Sequence, residues 1–305
     1  MKNKTAVVTG AGGFIGSALC KTLLLRNYKV YGVDIINDDE LVERIGNNKN
    51  FIPVCIDLKK DSLSDLIKEN VDVLFYLCWG GSLSGEDLYN EELQLVNVST
   101  AVKVCKDASS YCKHFIFGSS SYEFMKSANN VDINTNVYGI SKGVASKMCA
   151  SVSLRNKMDF NKAILTNTYG KGDRSRKAVN TLIYKLLKGQ QLELVEGEKP
   201  NDWVYIEDTV RGLIDIYEKG KSYKDYYIGH QNITTFKEKI TIMRDLLSPK
   251  ATLNFGTFED SNYVDYNLVN LVSLYEDTGF ECEVSFEDGI KKTAEWVRDF
   301  SIFGE

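Results

Sequence analysis

The amino-acid sequence predicts a doubly wound α/β domain, a parallel sheet covered on both faces by helices, followed by a smaller mixed α/β lobe. Short, nearly continuous apolar runs alternate with amphipathic helical patterns through the first half of the chain. A glycine-rich turn follows the first apolar run, and no repeat, low-complexity tract or long linker interrupts the sequence. We place the boundary after residue 166, which gives predicted units of 1–166 and 167–305, the second packed closely against the first.

The individual elements follow from the same patterns. In the first unit, apolar runs predict strands at 5–8, 30–33, 51–56, 71–77, 114–117 and 162–165. Apolar residues at helical spacing predict a helix that begins near Phe14, and further helices over 92–112 and 138–157. After residue 167 apolar runs and helical patterns no longer alternate regularly. There we predict helices over 179–188, 209–217 and 286–300 and a strand over 203–206.

Composition and charge exclude several classes of protein. The 305 residues are 43% hydrophobic and 26% charged, as in a soluble globular protein, and the formal net charge is −5. A mildly acidic chain is a poor candidate for binding nucleic acid. No segment approaches the roughly 18 uncharged apolar residues that a membrane span needs. The chain starts with Met1-Lys2-Asn3-Lys4 directly before a strand, so we expect no signal peptide and a cytoplasmic location.

Cysteine and histidine positions argue against a metal site. The seven cysteines are scattered without Cys-x-x-Cys spacing, and His114 and His230 are the only histidines. We interpret the cysteines as reduced core residues and expect no metal. Two distant histidines also make a Ser-His-Asp or Cys-His mechanism a poor fit, so any chemistry must come from other groups.

The glycine-rich turn lies between the first predicted strand and the first helix. Its pattern is Gly10-x-x-Gly13-x-x-Gly16, which allows a tight turn and close approach of a pyrophosphate to the helix N-terminus. Asp34 ends the next strand, where a carboxylate accepts the ribose hydroxyls of a dinucleotide and repels a 2′-phosphate. The pattern therefore favours NAD(H), although NADP(H) is not excluded. Asp57-Leu58, at the end of the third strand, is placed to flank the adenine.

A second motif is Tyr138-Gly139-Ile140-Ser141-Lys142. Positions i and i+4 share one face of a helix, so the phenol and the ammonium point into one site. A neighbouring positive charge favours the ionised phenol, and we expect it to bring Tyr138 towards neutral pH as an acid and base. The serine cluster 119–121 follows the fifth predicted strand, at the sheet edge where ligands bind.

With these motifs, the chain resembles an extended short-chain dehydrogenase/reductase of the NAD-dependent epimerase/dehydratase family over nearly its whole length. The resemblance implies that Tyr138 is the acid and base, that Lys142 holds the nicotinamide ribose, and that Ser120 binds the reacting sugar oxygen. It also implies a nucleotide-diphosphate sugar as substrate, Asn167 near the diphosphate, and a homodimer formed through the helices 92–112 and 138–157. The expected cofactor-binding residues are Gly10, Gly13, Phe14, Ile15, Gly16, Asp34, Ile35, Asp57, Leu58, Leu77 and Lys142.

Departures from the family pattern concern the substrate side. Sugar 4,6-dehydratases carry Asp-Glu where this chain has Ser121-Tyr122, which argues against dehydration. Glu123 either contacts sugar hydroxyls or is a solvated loop residue. Trp79 replaces a small residue, and either restricts the space beside the nicotinamide and sugar or caps the sheet edge.

The arginine that often binds the diphosphate in this family is Asn201 in this chain. Arg174 or Arg176 can supply the missing charge, and either can equally be a solvated loop residue. The expected substrate-binding residues are Trp79, Ser121, Glu123, Asn167 and Arg176.

Two segments, 75–81 (Phe-Tyr-Leu-x-Trp-Gly-Gly) and 118–123 (Gly-Ser-Ser-x-x-Glu), are similar to reductases of nucleotide-linked 4-keto-6-deoxyhexoses, which act in deoxysugar and polysaccharide biosynthesis. The leading hypothesis is therefore NAD(P)H-dependent reduction of a C4 ketone on such a sugar. An NAD-dependent nucleotide-sugar 4-epimerase, which retains its cofactor, is the alternative. A non-catalytic NAD-binding regulator is a third hypothesis, disfavoured because Ser120, Tyr138 and Lys142 are all present.

Overall fold

The protein is described from a computed structural model, which covers residues 4–81, 85–127, 134, 136–260 and 262–300. Met1, Lys2 and Asn3, on which the expectation of no leader depends, lie outside the described residues. The strands are Thr5–Thr9 (β1), Lys29–Asp34 (β2), Phe51–Cys55 (β3), Val73–Tyr76 (β4), His114–Ser120 (β5), Met125–Ser127 (β6), Asp159–Leu165 (β7), Asn167–Tyr169 (β8), Leu192–Val195 (β9), Trp203–Tyr205 (β10), Asp225–Ile228 (β11), Leu253–Phe258 (β12) and Asn262–Val264 (β13). The α-helices are Phe14–Leu25 (α1), Asp38–Ile45 (α2), Glu91–Ala108 (α3), Val137–Arg155 (α4), Ala178–Leu187 (α5), Ile206–Lys219 (α6), Phe236–Leu247 (α7), Ser273–Thr278 (α8) and Phe286–Asp299 (α9).

The main sheet has seven parallel strands in the order β11-β7-β5-β4-β1-β2-β3. Chain order reverses between β1 and β4, so the carboxyl ends of these two strands border the crevice where doubly wound sheets bind ligands. Helices cover both faces of the sheet. This confirms the doubly wound α/β fold predicted from the sequence.

Two apolar cores, one on each face, fix the sheet between its helices. All five residues of β1 are buried, as expected of a central parallel strand. On one face, α1 packs through Leu19 and Leu23. On the other face, α3 and α4 contribute small residues, including Ala101 and Ala145, that allow the two helices to lie close to the sheet and to each other. The helices therefore place Tyr138 and Lys142 near the carboxyl end of β5.

The second half of the chain differs from its prediction in one important respect. Residues 225–228 form β11, which pairs with β7 and completes the main sheet. The sequence predicted only mixed short elements there, because two tyrosines after an aspartate in a four-residue strand give a weak pattern. The smaller pairs β10-β8, β12-β9 and β13-β6 lie outside this sheet. The division into units 1–166 and 167–305 stays a prediction, with at least one strand shared across it.

Within the described residues, no helix combines the length and apolar character required to cross a bilayer. The same residues contain no cluster of His, Cys, Asp and Glu suited to a metal ion. The seven cysteines are free thiols, four of them buried, while Cys55 is exposed rather than part of the core.

Candidate active site

The glycine-rich turn connects β1 to α1 at the carboxyl edge of the sheet. Gly10 has a φ of 71°, in the left-handed region that favours glycine. A Cβ atom on Gly16 would lie 2.0 Å from the carbonyl oxygen of Gly10, so only glycine fits there. The N-cap residue Gly13 has no capping side chain, which leaves the first N–H groups of α1 available to an anion.

Asp34, the last residue of β2, lies directly beside this turn. Its carboxylate accepts hydrogen bonds from the backbone N–H of Gly12 at 2.9 Å and of Ile35 at 2.7 Å. The Ile35 side chain is 73% exposed. Arg44 of α2 donates to the carbonyl oxygen of Gly12, a contact that the sequence did not reveal. The arrangement holds a carboxylate at the end of β2, where the sequence pattern predicts the ribose of a dinucleotide.

Asp57 and Leu58 follow β3 on the outer side of Asp34. Leu58 is buried, whereas Asp57 accepts from the N–H of Lys59 at 3.1 Å and pairs with Lys60 at 3.5 Å. Their expected contact with an adenine stays a prediction.

A cavity of about 510 Å³ opens at the carboxyl edge of the sheet. It extends from the glycine turn past β4 and β5 to the beginning of α5. It brings together many of the residues singled out from the sequence, namely Gly10, Gly13, Phe14, Ile15, Gly16, Leu77, Trp79, Ser120, Ser121, Tyr138, Lys142, Asn167 and Arg176. The cleft is therefore lined both by residues predicted to bind the cofactor and by residues predicted to bind the substrate.

Tyr138 and Lys142 lie one turn apart on α4 and face Ser120 at the end of β5. Asn136 caps the helix by accepting from the N–H of Gly139 at 2.9 Å, which fixes where the first turn begins. The Lys142 ammonium donates to the carbonyl oxygen of Gly118 at 2.8 Å. The Ser120 hydroxyl forms a hydrogen bond with the Tyr138 phenol. The three groups predicted to carry the chemistry are thus held in one cluster.

The protonation of this cluster differs from the expectation. Burial raises the pKa of Tyr138, and the hydrogen bond from Ser120 only partly offsets this. Burial also lowers the pKa of Lys142 to about 7, opposed by the nearby Cys78 and Glu123. The expectation that Lys142 brings the pKa of Tyr138 towards neutral pH is wrong, because burial of the phenol dominates and the nearby Tyr122 and Glu123 raise the pKa further. Tyr138 is held as a protonated phenol.

Trp79 follows β4 and forms one wall of the cleft. Its ring packs edge-on against Tyr138, with centroids 6.2 Å apart, and equally against Phe117. Its indole N–H donates to Gln94 at 2.8 Å, and the Lys142 ammonium lies 4.1 Å from the ring centroid. The ring covers the end of the sheet, as one of the two alternatives predicted, and it lines the cleft; its effect on the space beside a nicotinamide and sugar stays a prediction. Gln94, buried on α3, was not predicted.

Ser121 and Glu123 lie in the short 3₁₀ helix Ser121–Phe124, and they face different ways. The Ser121 hydroxyl lines the cleft, is buried, and has no hydrogen-bond partner among the described residues. The Glu123 carboxylate accepts hydrogen bonds from the Ser119 hydroxyl and from Lys162 at 3.2 Å. Both expectations for Glu123 are wrong: it is neither directed at the cleft nor solvated, because Lys162 draws it into the interior.

The far end of the cleft is formed by β8 and the loop before α5. Asn167 donates to the side-chain oxygen of Asn201 at 3.0 Å. Arg176 lines the cleft together with Lys177, whereas Arg174 packs 5.0 Å from the ring centroid of Phe300. Arg176 is therefore the better placed of the two arginines to supply the charge missing at Asn201.

A second cavity, about 160 Å³ in volume, lies on the other side of Asn201 and was not predicted. Its walls come from segments far apart in sequence, including Lys199, Phe236, Asp260 and Tyr263. Because Asn201 also contacts Asn167, the two cavities are neighbours separated by this amide pair. Only the folded chain brings the walls together, so a linear motif could not have indicated them.

A sequence profile described as the NAD dependent epimerase/dehydratase family matches residues 6–229, about three quarters of the chain and all of the main sheet except its first residue, Thr5. The chain belongs to this family. Among curated relatives, an uncharacterised UDP-glucose epimerase, YtcB, of Bacillus subtilis (strain 168) is 27% identical over 277 residues, covering 82% of this chain and 84% of that protein.

Solved structures of similar fold include the UDP-glucuronic acid 4-epimerase from Bacillus cereus in complex with UDP-glucuronic acid and NAD. That chain has a TM-score of 0.79 and 21% identity, over 97% of this chain and 99% of that one. The Bordetella bronchiseptica enzyme WbmF in complex with NAD⁺ gives a TM-score of 0.80 at 21% identity, covering 97% and 93% of the two chains. At this level of identity the likeness establishes the fold of this family member.

Proposed function

We propose that the protein is an NADH-dependent reductase of the C4 ketone of a nucleotide-linked 4-keto-6-deoxyhexose. The observation that carries the proposal is the buried, protonated Tyr138, which touches Ser120 and opens onto the same cleft as the glycine turn. Reduction of a ketone needs a proton donor beside the developing alkoxide, and a phenol held in its neutral form is suited to that role.

The cofactor side of the cleft fits NAD(H). The glycine turn has no room for a Cβ at Gly16, the N-terminus of α1 is uncapped, and Asp34 lies at the end of β2. Solved relatives of this fold carry NAD, which supports the same cofactor here. When bound, the reduced cofactor supplies the hydride.

The residues of this chain handle the oxygen and the proton. As the C4 carbonyl gains a hydride, its oxygen becomes an alkoxide, and the Tyr138 hydroxyl transfers its proton to that oxygen. Ser120 donates a hydrogen bond to the same oxygen, and the Lys142 ammonium stabilises the tyrosinate left behind. The products are an alcohol at C4 and the oxidised cofactor, and a proton from solvent restores Tyr138.

The substrate side suits a nucleotide-diphosphate sugar. Arg176, Lys177 and the uncapped N-terminus of α5 supply positive charge to the cleft beyond Asn167. The neighbouring cavity beyond Asn201 gives the nucleotide a second compartment. The two cavities together suit a ligand with a sugar at one end and a base at the other.

Trp79 favours reduction over epimerisation. An epimerase must turn its 4-keto intermediate so that hydride returns to the opposite face, which needs space beside the cofactor. Here the indole ring is fixed by Gln94 and packs on Tyr138, so the space is restricted.

A nucleotide-sugar 4-epimerase is the second candidate. The relative YtcB is named as a UDP-glucose epimerase, and the Bacillus cereus structure is a UDP-glucuronic acid 4-epimerase. An epimerase would retain NAD through purification and would consume no NADH.

The decisive assay follows NADH absorbance after the protein is mixed with a freshly generated 4-keto-6-deoxy nucleotide sugar. A plain nucleotide hexose and NADPH are the parallel samples. Stoichiometric loss of NADH with the keto sugar supports the reductase. Conversion of the plain hexose to its C4 epimer, without added cofactor and without loss of NADH, contradicts it and supports the epimerase.

Replacing Asp34 tests the proposed cofactor preference. Asp34→Asn keeps an oxygen for the N–H of Gly12 but removes the charge that would repel a 2′-phosphate. We expect the ratio of kcat/KM for NADPH to that for NADH to rise by about tenfold or more, since placing like charges together costs several kcal/mol. Asp38→Asn, an exposed position in the first turn of α2, is the control. An unchanged ratio of the two kcat/KM values in Asp34→Asn would show that this carboxylate does not discriminate between the ribose hydroxyl of NADH and the 2′-phosphate of NADPH.

We also propose that the protein is a homodimer formed through α3 and α4. One face of α4 exposes Ile140, Val144, Met148 and Leu154, and α3 exposes Leu95 and Val96. The α4 residues fall within one helical stripe, and a second copy of the same helix pair would cover them in a four-helix arrangement.

Val144, which is 45% exposed at the centre of this stripe, offers the test. Val144→Arg places a charge at the proposed interface and should prevent the dimer from forming. In size-exclusion chromatography with light scattering, we expect the molar mass of this variant to be that of a monomer, half that of the unmodified dimer. Leu25→Arg, an equally drastic change on the exposed end of α1, should leave the mass unchanged. A monomeric unmodified protein would refute the proposed dimer.

A further inference from the structure

Behind the catalytic cluster lies a buried ion pair to which the proposed reaction assigns no role. Glu123 follows Ser120 by three residues and accepts hydrogen bonds from the Ser119 hydroxyl and from Lys162 of β7. The two side chains of the pair are 8% and 7% exposed, respectively. A buried ion pair is costly to desolvate and is weak evidence for stability alone, so a functional reason for keeping it is worth seeking.

The pair is connected to the surface on the side away from the cleft. Lys162 also contacts Asp225 of β11 at 2.7 Å, and that carboxylate side chain is 56% exposed. Lys162 is thus shared between an inner anion next to the serine cluster and an outer anion at the edge of the sheet. The two carboxylates can be changed separately, which makes the inner one testable.

Helix α4 has two glycines where the 3₁₀ helix Ser121–Phe124, which contains Glu123, packs against it. A Cβ on Gly139 would lie 2.1 Å from the carbonyl oxygen of Tyr122, and a Cβ on Gly143 would lie 3.1 Å from the Glu123 carboxylate. These glycines directly follow Tyr138 and Lys142 in sequence. The 3₁₀ helix therefore packs into a notch on α4, at the same two turns that carry the acid and its neighbouring ammonium.

We infer that Glu123, held by Lys162, is a positioning residue that fixes the segment 120–124 against α4 and keeps a negative charge beside Lys142. The inference rests on the proposed function in that it assigns the charged Lys142 to the reacting state. It does not depend on which sugar is reduced.

The charges around Lys142 support this role. The groups that face Lys142 are Cys78 after β4, Tyr138 on its own helix, the Trp79 ring and Glu123. Tyr138 is faced by Ser120, Tyr122 and Glu123. Burial brings the pKa of Lys142 down to about 7, and Glu123 opposes that fall. Near neutral pH, a small change in the surrounding charge therefore changes the fraction of Lys142 that is protonated.

Glu123→Gln is the direct test, because the amide oxygen can still accept from Lys162 and the amide NH₂ can donate to the Ser119 hydroxyl, while the charge is lost. The first readout is the titration of Lys142 in cofactor-free protein labelled with ¹³C at the lysine Cε, its resonance assigned by its absence in Lys142→Met. We expect its midpoint to fall by on the order of one pH unit, since a nearby opposite charge shifts a pKa by about that amount or more.

The second readout is the pH profile of kcat. If the ammonium form is required, activity falls as pH rises through the pKa of Lys142, so a lower pKa moves this alkaline limb to lower pH. We expect Glu123→Gln to keep most of its turnover in mildly acidic buffer and to lose about tenfold on the alkaline side, as one pH unit implies. KM for the nucleotide sugar should change little.

Asp225→Asn is the matched control, because it removes the charge of the exposed carboxylate that contacts Lys162 and leaves the buried carboxylate of Glu123 in place. Its Lys142 titration and pH profile should match those of the unmodified protein. If Glu123→Gln does not fold, the double variant Glu123→Gln/Lys162→Met is compared with Lys162→Met alone, so that the charge of Glu123 is again the only difference.

An unchanged Lys142 titration in a folded Glu123 variant, or a loss of turnover equal at every pH, would overturn the inference and leave a purely structural role. Failure of the proposed function is distinguishable. In that case Lys142 titrates as expected in the variant, but the unmodified protein does not reduce keto sugars.

Discussion

Tyr138→Phe is expected to lower kcat by about a hundredfold to ten-thousandfold, the usual contribution of a general acid. The substitution removes only the hydroxyl that contacts Ser120, while the ring can keep its edge-on packing against Trp79 and Tyr122. NADH affinity, measured by fluorescence titration, should therefore change little. The signature is a loss of turnover with cofactor binding intact.

Tyr111→Phe is the matched control for this variant. It removes the same atom from a tyrosine whose hydroxyl is buried, near the end of α3 and at the opposite edge of the sheet, and should leave kcat unchanged. Substantial turnover in Tyr138→Phe would remove Tyr138 as the proton donor. If the biological activity of the Tyr138→Phe variant were also unaffected, the hypothesis of a non-catalytic regulator would replace both the reductase and the epimerase hypotheses.

Gly16→Ala is expected to weaken NAD(H) binding by more than about tenfold and to lower the melting temperature. The new Cβ would lie 2.0 Å from the carbonyl oxygen of Gly10 and 2.8 Å from its carbonyl carbon, so the turn must open. Both contacts are with backbone, which cannot move aside as a flexible side chain can. Any opening displaces the N–H groups of α1 that we propose bind the pyrophosphate.

Ser17→Ala is the control, one position further along α1. It removes a hydrogen bond of 3.2 Å to the carbonyl oxygen of Phe14 but creates no clash. Cofactor affinity should be unchanged in this variant. If Gly16→Ala bound NADH as tightly as the unmodified protein, the glycine turn would not be the pyrophosphate site.

The sequence was most informative where function depends on neighbours along the chain. The glycine spacing, the acidic end of β2 and the i, i+4 pair on α4 are local patterns, and the structure brings the glycines, Tyr138 and Lys142 to one cleft. The order of the apolar runs was enough to predict the doubly wound sheet. The helix predicted over 92–112 ends earlier, at Ala108, because a turn and the start of β5 follow.

It was least informative where partners are distant. Glu123 was misinterpreted because Lys162, which draws it inward, is 39 positions further along the chain. The support of Trp79 by Gln94 required the packing of α3 beside the sheet. The pKa of Tyr138 was misjudged because its direction depends on burial, which a helical pattern does not measure. The second cavity combines loops before β10 and around β13, so no single motif could predict it.

The most direct test of the central claim is to trace deuterium from [4,4-²H₂]NADH into the sugar. We predict one deuterium at C4 of the product for each NADH oxidised, located by mass spectrometry and NMR, with transfer abolished in Tyr138→Phe. In a parallel sample with a plain nucleotide hexose, an unlabelled C4 epimer formed without loss of NADH, together with no labelling of the keto sugar, would contradict the reductase and show that hydride returns to the sugar from which it was taken.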